Sequence, residues 1–369
     1  MTLTRPGRRI SALLGGLLLA AATAIVPATA SAAPADSAPT NSTPSEAGSI
    51  LSGNRTQAAA GWLARQLVDG ERFEATFDGV TYPDQGLTID AILAFAAAGV
   101  AEQNAAKATT WLARPEILSG YIGDGTTNAY AGATAKLLLA TEVRGVNPSS
   151  FGGVDLPTRL RSLQQPSGRF TDLSPWGDYS NAFSQSLALL ALDRTPAGAP
   201  AGAVDFLAGA RCADGGFPLD FGKPTCTSDA DSTAISVQAL AATGRPQEAA
   251  AGLNWLVGHQ LADGGFGTPG AGTSNANSTG LAAQALLSSW RVLPGLTARH
   301  FITQRQVPCS GTPATRGAIA YDATGFDPST ATRATAQAVL GLAGTGFAGL
   351  SAAGARPDAP NLHCPSPTS

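Results

Sequence analysis

Charge is scarce in this chain of 369 residues: Asp, Glu, Lys and Arg together make up 13%, and the formal net charge is -3. No basic stripe breaks the pattern, which excludes the electrostatic footprint of a nucleic-acid partner. Histidine occurs three times, at His259, His300 and His363, and the four cysteines include no C-x-x-C pair. The ligand spacing of a zinc centre is therefore missing, and no metal or other cofactor is expected. Aromatic residues amount to 6%, few for a cavity walled by aromatic faces. Beyond Val26 no apolar run is long enough to cross a bilayer, so no membrane span is expected downstream of the N-terminus.

The N-terminus itself is different. Arg5, Arg8 and Arg9 precede an apolar, small-residue stretch from Ile10 to Val26, and Ala30-Ser31-Ala32 closes it. That order is the pattern of an export signal spanning residues 1–32, with cleavage near Ala32; the apolar run is short for a membrane anchor, and Pro27 interrupts it. Residues 33–53 are rich in Ala, Pro, Ser and Thr and read as a disordered spacer. The repeat domain then covers residues 54–350, and a Pro-rich tail follows from 351 to 369. A secreted, monomeric protein is expected. After export Cys212, Cys226, Cys309 and Cys364 should be oxidised. Three pairings are open; the simplest joins Cys212 to Cys226 within one repeat and Cys309 to Cys364 across the tail.

What is abundant is a helical pattern repeated six times. Polar starts at Asp84, Asn128, Asn181, Asp229, Asn275 and Asp327 each open an Ala/Leu-rich segment such as Val237-Gln238-Ala239-Leu240 or Ala283-Gln284-Ala285-Leu286. A period of about 44–53 residues marks a helical repeat array. Each repeat also holds an earlier amphipathic helix with a bulky stripe, for example Trp111-Leu112 and Trp255-Leu256. The Ala/Leu-rich helices are apolar all round, so they form an inner ring and the amphipathic ones an outer ring. The expected fold is all-α, an α/α toroid of six helical hairpins. Turns at Asp214-Gly215-Gly216-Phe217, Asp263-Gly264-Gly265-Phe266 and Ser167-Gly168-Arg169-Phe170 end outer helices, with glycine supplying left-handed backbone and phenylalanine a plug. Their role is structural.

Parallel inner helices bring their N-termini, with unpaired N–H groups and positive dipole ends, to one mouth. The residues facing it are expected to be Asp84, Asn128, Asn181, Asp229 and Asn275, and two positions on, Tyr130, Phe183, Asp231 and Asn277. Helix capping alone accounts for the first set. It does not account for the mixture of aromatic and polar residues in the second, which suits a ligand pocket.

Trp255-Leu256-Val257-Gly258-His259-Gln260, then Asp263-Gly264-Gly265-Phe266-Gly267 and Thr279-Gly280-Leu281-Ala282-Ala283-Gln284-Ala285-Leu286, resemble the repeat of the prenyltransferase and squalene-cyclase superfamily. The resemblance runs from about Asn54 to Gly344 and implies the same toroid, an architecture also similar to the helical domain of the vitamin B12 carriers transcobalamin and intrinsic factor. It implies either a carrier of a corrinoid-like or isoprenoid small molecule, or an enzyme. Asp229-Ala230-Asp231-Ser232-Thr233-Ala234 is similar to the D-x-D-D-T-A motif of class II terpene cyclases, with Asp231 in the place of the catalytic acid and Ser232 where that family has its third Asp. A serine there can still hydrogen-bond Asp231. A protein prenyltransferase would need zinc ligands that are missing here, and the thioester motif C-G-E-Q of complement-like rings is absent. The sequence thus points first to a small molecule or an extracellular partner protein bound at the mouth of the ring, with a cyclase-like enzyme using Asp231 as general acid as the alternative.

Overall fold

Alanine and leucine, uninterrupted by proline, make long stretches of this chain good helix formers, and the alanines keep their surfaces small. In the computed structural model, which describes residues 51–52 and 54–365, they form thirteen α-helices arranged as six hairpins. The proposed export signal and residues 33–50 and 53 of the spacer lie outside the described residues. The hairpins are α1 (Arg55–Arg65) with α2 (Gln85–Ala98); α3 (Glu102–Leu112), extended by α4 (Pro115–Ile122), with α5 (Ala131–Arg144); α6 (Leu156–Arg161) with α7 (Ala182–Asp193); α8 (Ala201–Gly209) with α9 (Ala230–Ala242); α10 (Pro246–Gly258) with α11 (Ala276–Ser288); and α12 (Val292–Arg305) with α13 (Pro328–Ala343). Helices α2, α5, α7, α9, α11 and α13 pack each on the next, and α13 returns to α2, closing an inner ring. The outer helices bury one stripe, such as Ala105, Ala108, Trp111 and Leu112 of α3. The inner helices are buried nearly all round, every residue from Ala182 to Leu192 in α7.

Small side chains set how tightly the inner ring closes. A Cβ added to Gly280 would lie 2.7 Å from the carbonyl oxygen of Gln337, and one added to Gly341 would lie 2.6 Å from that of Gly280. Helices α11 and α13 therefore touch backbone to backbone. Ser186 and Ser236 hydroxyls meet at 3.2 Å between α7 and α9.

Five of the six hairpins are fastened by a repeated hydrogen bond. The plug residues Phe217, Phe266 and Ile319 donate their backbone N–H to the hydroxyls of Thr233, Thr279 and Thr335 at 2.8, 2.9 and 2.8 Å. Phe73 does the same to Thr88 at 2.9 Å, and Phe170 uses the Gln185 side chain at 2.9 Å. The plugs are sealed from water, so without these acceptors their N–H groups would be stranded. The Asp-Gly-Gly turns support the plugs. Asp263 Oδ1 accepts from Gly265 N–H at 3.0 Å and from the Ser274 hydroxyl at 2.7 Å, while a Cβ on Gly265 would lie 2.5 Å from the Ser274 Cβ.

The C-terminal segment is docked. It crosses the C-terminal ends of the inner helices, where Phe347 N–H donates to Gln238 Oε1 at 3.0 Å and Ala352 N–H to the Val143 carbonyl at 2.9 Å. Arg194 donates to the carbonyls of Ala348 and Leu350 at 2.9 and 2.8 Å. Further on, Asn361–Leu362 pairs in parallel with Leu51–Ser52. Disulfides join Cys212 to Cys226 and Cys309 to Cys364, each with Cα atoms 5.5 Å apart. One end of the ring is thus closed by chain, and the N-terminal mouth is left as the accessible end. Among the described residues, no helix is long and apolar enough to cross a membrane.

The plug hydrogen bond is testable. Thr233→Val keeps the shape but strands the Phe217 N–H, which costs about 1–3 kcal/mol; Thr233→Ser retains the acceptor and should lose less. Urea unfolding of both variants measures the difference, and equal stabilities would remove the hydroxyl from the account.

Candidate active site at the mouth of the ring

The first turns of the inner helices need hydrogen-bond acceptors in a place with little water. Asp84, Asn181, Asp229 and Asn275 supply them as N-caps: Asp229 Oδ1 accepts from Ser232 N–H at 2.7 Å, and Asn275 Oδ1 from Ser278 N–H at 2.8 Å. The next N–H groups are satisfied from the neighbouring repeat. The carbonyl of Leu219 accepts from Ala182 N–H at 2.9 Å and that of Tyr321 from Ala276 N–H at 2.7 Å.

One expected cap is displaced. Asn128 does not cap α5; Tyr130 occupies the N-cap and has no side-chain bond to the helix. The acceptor comes from Asp172, whose Oδ1 takes the Ala131 N–H at 2.8 Å. The residue two beyond the cap is therefore Gly132, not Tyr130. In α13 the helix starts one turn early at the Asp327 cap, so the matching position, two before the Thr335 hook, is Arg333. Corresponding positions around the ring are Gly86, Gly132, Phe183, Asp231, Asn277 and Arg333.

Phe183, Asp231, Asn277 and Arg333 line a mouth cavity of about 890 Å³, together with the caps Asp229 and Asn275. Asp84 reaches it indirectly, through an ion pair of 2.9 Å to Arg333. Asn128, Tyr130 and Asn181 do not line it. Beneath Asp84 and Asp90, Tyr121 is pushed above the ordinary phenol range by burial first and then by those carboxylates. The rest of the cavity wall mixes polar side chains, Asp220, Thr225, Asp322, Thr324 and Ser329 among them, with the apolar Pro218, Leu219 and Pro269 and the aromatic face of Tyr321.

Asp231 is the unusual group. Asp229 does the capping, so the Asp231 carboxyl has no helix N–H to serve, and its Oδ1 is sealed from solvent with no hydrogen-bond partner among the described residues. Burial, followed by the negative charge of Asp229, pushes its pKa up to about 7, against a lowering side-chain hydrogen bond from Ser278. The positive end of α9 also favours the charged form, yet desolvation wins. The bond comes from Ser278 of α11 rather than from Ser232, whose buried hydroxyl has no partner among the described residues. Tyr321 is raised as well, by burial and then by Asp231 and Asp322.

Arg333 and Tyr321 escape a reading of the caps. Both are found by a finer rule: Arg333 from the hook threonine counted back two residues, and Tyr321 as the second residue after a plug, where Leu219 and Thr268 also line the cavity. Among the described residues no cluster of His, Cys, Asp and Glu is grouped to hold a metal ion.

The raised Asp231 pKa carries a stability signature. The folded state binds this proton more tightly than the unfolded chain, so the group's contribution is full at acidic pH and is lost as pH rises from about 4 to about 7. Asp231→Asn should match the parent in urea unfolding near pH 4.5 and exceed it near pH 8. A gap that does not change with pH would contradict the burial argument.

No family profile and no curated protein matches this sequence. Solved structures share the fold. The apo type II terpene cyclase MstE from Scytonema superposes with a TM-score of 0.58 at 14% identity, over 79% of this chain and 97% of that one. A protein from Actinoplanes gives 0.57 at 16%, over 79% of this chain and 98% of that one. A glycosidase gives 0.55 at 12%, over 80% and 97%. At these identities the likeness is one of fold: this chain has the α/α toroid of the terpenoid-cyclase type.

Proposed function

We propose that this chain is an enzyme whose general acid is Asp231, acting on a substrate bound in the mouth of the inner ring. One observation carries the reading: a carboxyl group buried in the wall of a cavity, unused by the fold, and shifted by its surroundings so that a large fraction stays protonated near neutral pH. A carboxylic acid kept neutral in this way is what proton donation requires. Its place in Asp229-Ala230-Asp231-Ser232-Thr233-Ala234, on a fold shared with a terpene cyclase, supports an isoprenoid alkene as acceptor. The proton would pass from Asp231 to a double-bond carbon, the neighbouring carbon would take the positive charge, and the next double bond would close on it. A base then removes a proton from the cyclised cation, and Asp231 is reprotonated from the mouth.

The cavity lining favours a second reading. Residues bearing hydroxyl or carboxylate groups outnumber the others around it and are set among the apolar faces of Phe183, Leu219, Pro269 and Tyr321, a mixture that suits a substrate with both hydroxyl groups and C–H faces. A glycosidase on the same fold is consistent with this. There Asp231 would protonate the departing glycosidic oxygen while an ionised carboxylate at the mouth activates water. A secreted carrier that holds a corrinoid-like or isoprenoid molecule without changing it would use the same cavity.

The readings separate in one experiment with the purified mature protein. Parent and Asp231→Asn are incubated with squalene, geranylgeraniol, cobalamin and a panel of oligosaccharides, and products are read by mass spectrometry. A product isomeric with its isoprenoid indicates cyclisation, and a product that has gained water across a glycosidic bond indicates hydrolysis. In either case Asp231→Asn should lower turnover at least about 100-fold while binding persists. Ligand retained unchanged by both proteins would leave the carrier, and turnover undiminished in the variant would dismiss Asp231 as the acid.

A further inference from the structure

Between α6 and α7 the chain forms a loop, Thr171 to Ser180, that displays Trp176 at 60% and Tyr179 at 54% exposure. Trp290 and Phe77 are exposed as well, but here two large aromatics are displayed three residues apart in one loop. The loop is also held stiffly. Asp178 Oδ1 accepts from Asp172 and Ser180 N–H at 3.0 and 2.9 Å, and Asp172 Oδ2 accepts from Tyr179 N–H at 3.3 Å. Arg169 ties Asp178 and the Ser180 carbonyl, both at 2.9 Å. The Tyr179 hydroxyl donates to the Trp176 carbonyl at 3.0 Å, which fixes its ring across the turn. Among the described residues, neither ring is stacked on another aromatic or on an arginine.

The loop abuts the site. Phe183, three residues beyond Ser180, lines the mouth cavity, and the neighbouring cavity-wall loop is bonded to the same helix start through Leu219 and Ala182 at 2.9 Å. Arg169 bridges the two loops by lying 5.6 Å over the Phe221 ring. A ligand resting on the two aromatics and continuing inward meets hydroxyls and carboxylates. The combination of flat apolar faces outside and hydroxyl-matching groups inside fits a chain of sugar rings, which present C–H faces and hydroxyl edges in alternation. Rigid aromatics lose little entropy when such a ring settles on them.

We propose that Trp176 and Tyr179 form a stacking platform for the sugar rings of a polymeric glycan whose chain runs from the rim into the mouth cavity. The proposal rests on the hydroxylated-substrate reading of that cavity. Its test is titration calorimetry with cellohexaose, chitohexaose, xylohexaose and maltohexaose, each compared with its disaccharide. One hexaose should bind more tightly than its disaccharide. Replacing both residues (Trp176→Ala with Tyr179→Ala) should weaken the hexaose about ten-fold and leave the disaccharide unchanged; Trp176→Phe with Tyr179→Phe should restore most of the difference. Both side chains are exposed, so circular dichroism should be unaltered. The proposal is overturned if the parent binds none of the hexaoses, if the alanine variant keeps the preference for length, or if proline-rich peptides and not glycans are what the platform holds. Asp231→Asn separates the two claims. A variant that still hydrolyses the bound hexaose removes the acid and leaves the platform, whereas loss of hydrolysis with no effect of the alanine pair does the reverse.

Discussion

Six helix N-termini converge on one mouth, and the need to satisfy their N–H groups constrains everything around it. Each terminus leaves N–H groups that no residue of its own helix can accept. The fold answers in two layers. A cap on the helix takes one donor, as Asp229 does for Ser232, and the following repeat supplies a carbonyl or carboxylate for the next, as Leu219, Tyr321 and Asp172 do. The second layer makes capping a contact between repeats, so ring closure and local helix stability are one property. It also brings the residues after each plug to the mouth, and Leu219 and Tyr321 become cavity wall because they are clasps.

This arrangement releases Asp231. Aspartate near a helix start ordinarily caps it and is held ionised by the N–H groups it accepts. With Asp229 in that role, Asp231 faces the cavity with only the Ser278 hydroxyl to favour its charge and one carboxyl oxygen left without a partner among the described residues. The ionised form is further penalised by the neighbouring cap. A structural necessity at one position thus creates the chemistry two residues later. The rest of the ring shows the same position put to other uses: Gly132 where α5 meets α7, Phe183 as an apolar wall, Arg333 as a cation tethered to Asp84.

The ring and its hairpins were legible because they rest on local signals: period, apolar stripes, glycine turns and cap residues. Asn181, Asp229 and Asn275 cap as their sequences indicate. The reading slipped at Asn128 and Tyr130 because the cap of α5 is supplied from a loop forty-one residues away, Asp172 to Ala131. No local pattern encodes an acceptor at that distance. Arg333 was hidden by a different effect, the extra turn at the start of α13, which shifts cap and cavity position out of step. Ser232 is close enough in sequence to bond Asp231, but its hydroxyl is buried without a partner among the described residues, and Ser278 from α11 makes the bond instead. Contacts between helices decided each of these outcomes.

The same small residues set how closely the inner helices approach. Helices α11 and α13 touch through Gly280 and Gly341, and α7 and α9 through the hydroxyls of Ser186 and Ser236. Below them the C-terminal segment spans the far end through Gln238 and Arg194. A cavity lies at the opposite, N-terminal end, with Asp231 in its wall. The toroid is common to a cyclase and a glycosidase, so the frame does not select between them. The side chains at the mouth are where such rings differ, and here hydroxyls, carboxylates and apolar faces surround a buried aspartate whose pKa is pushed up to about 7.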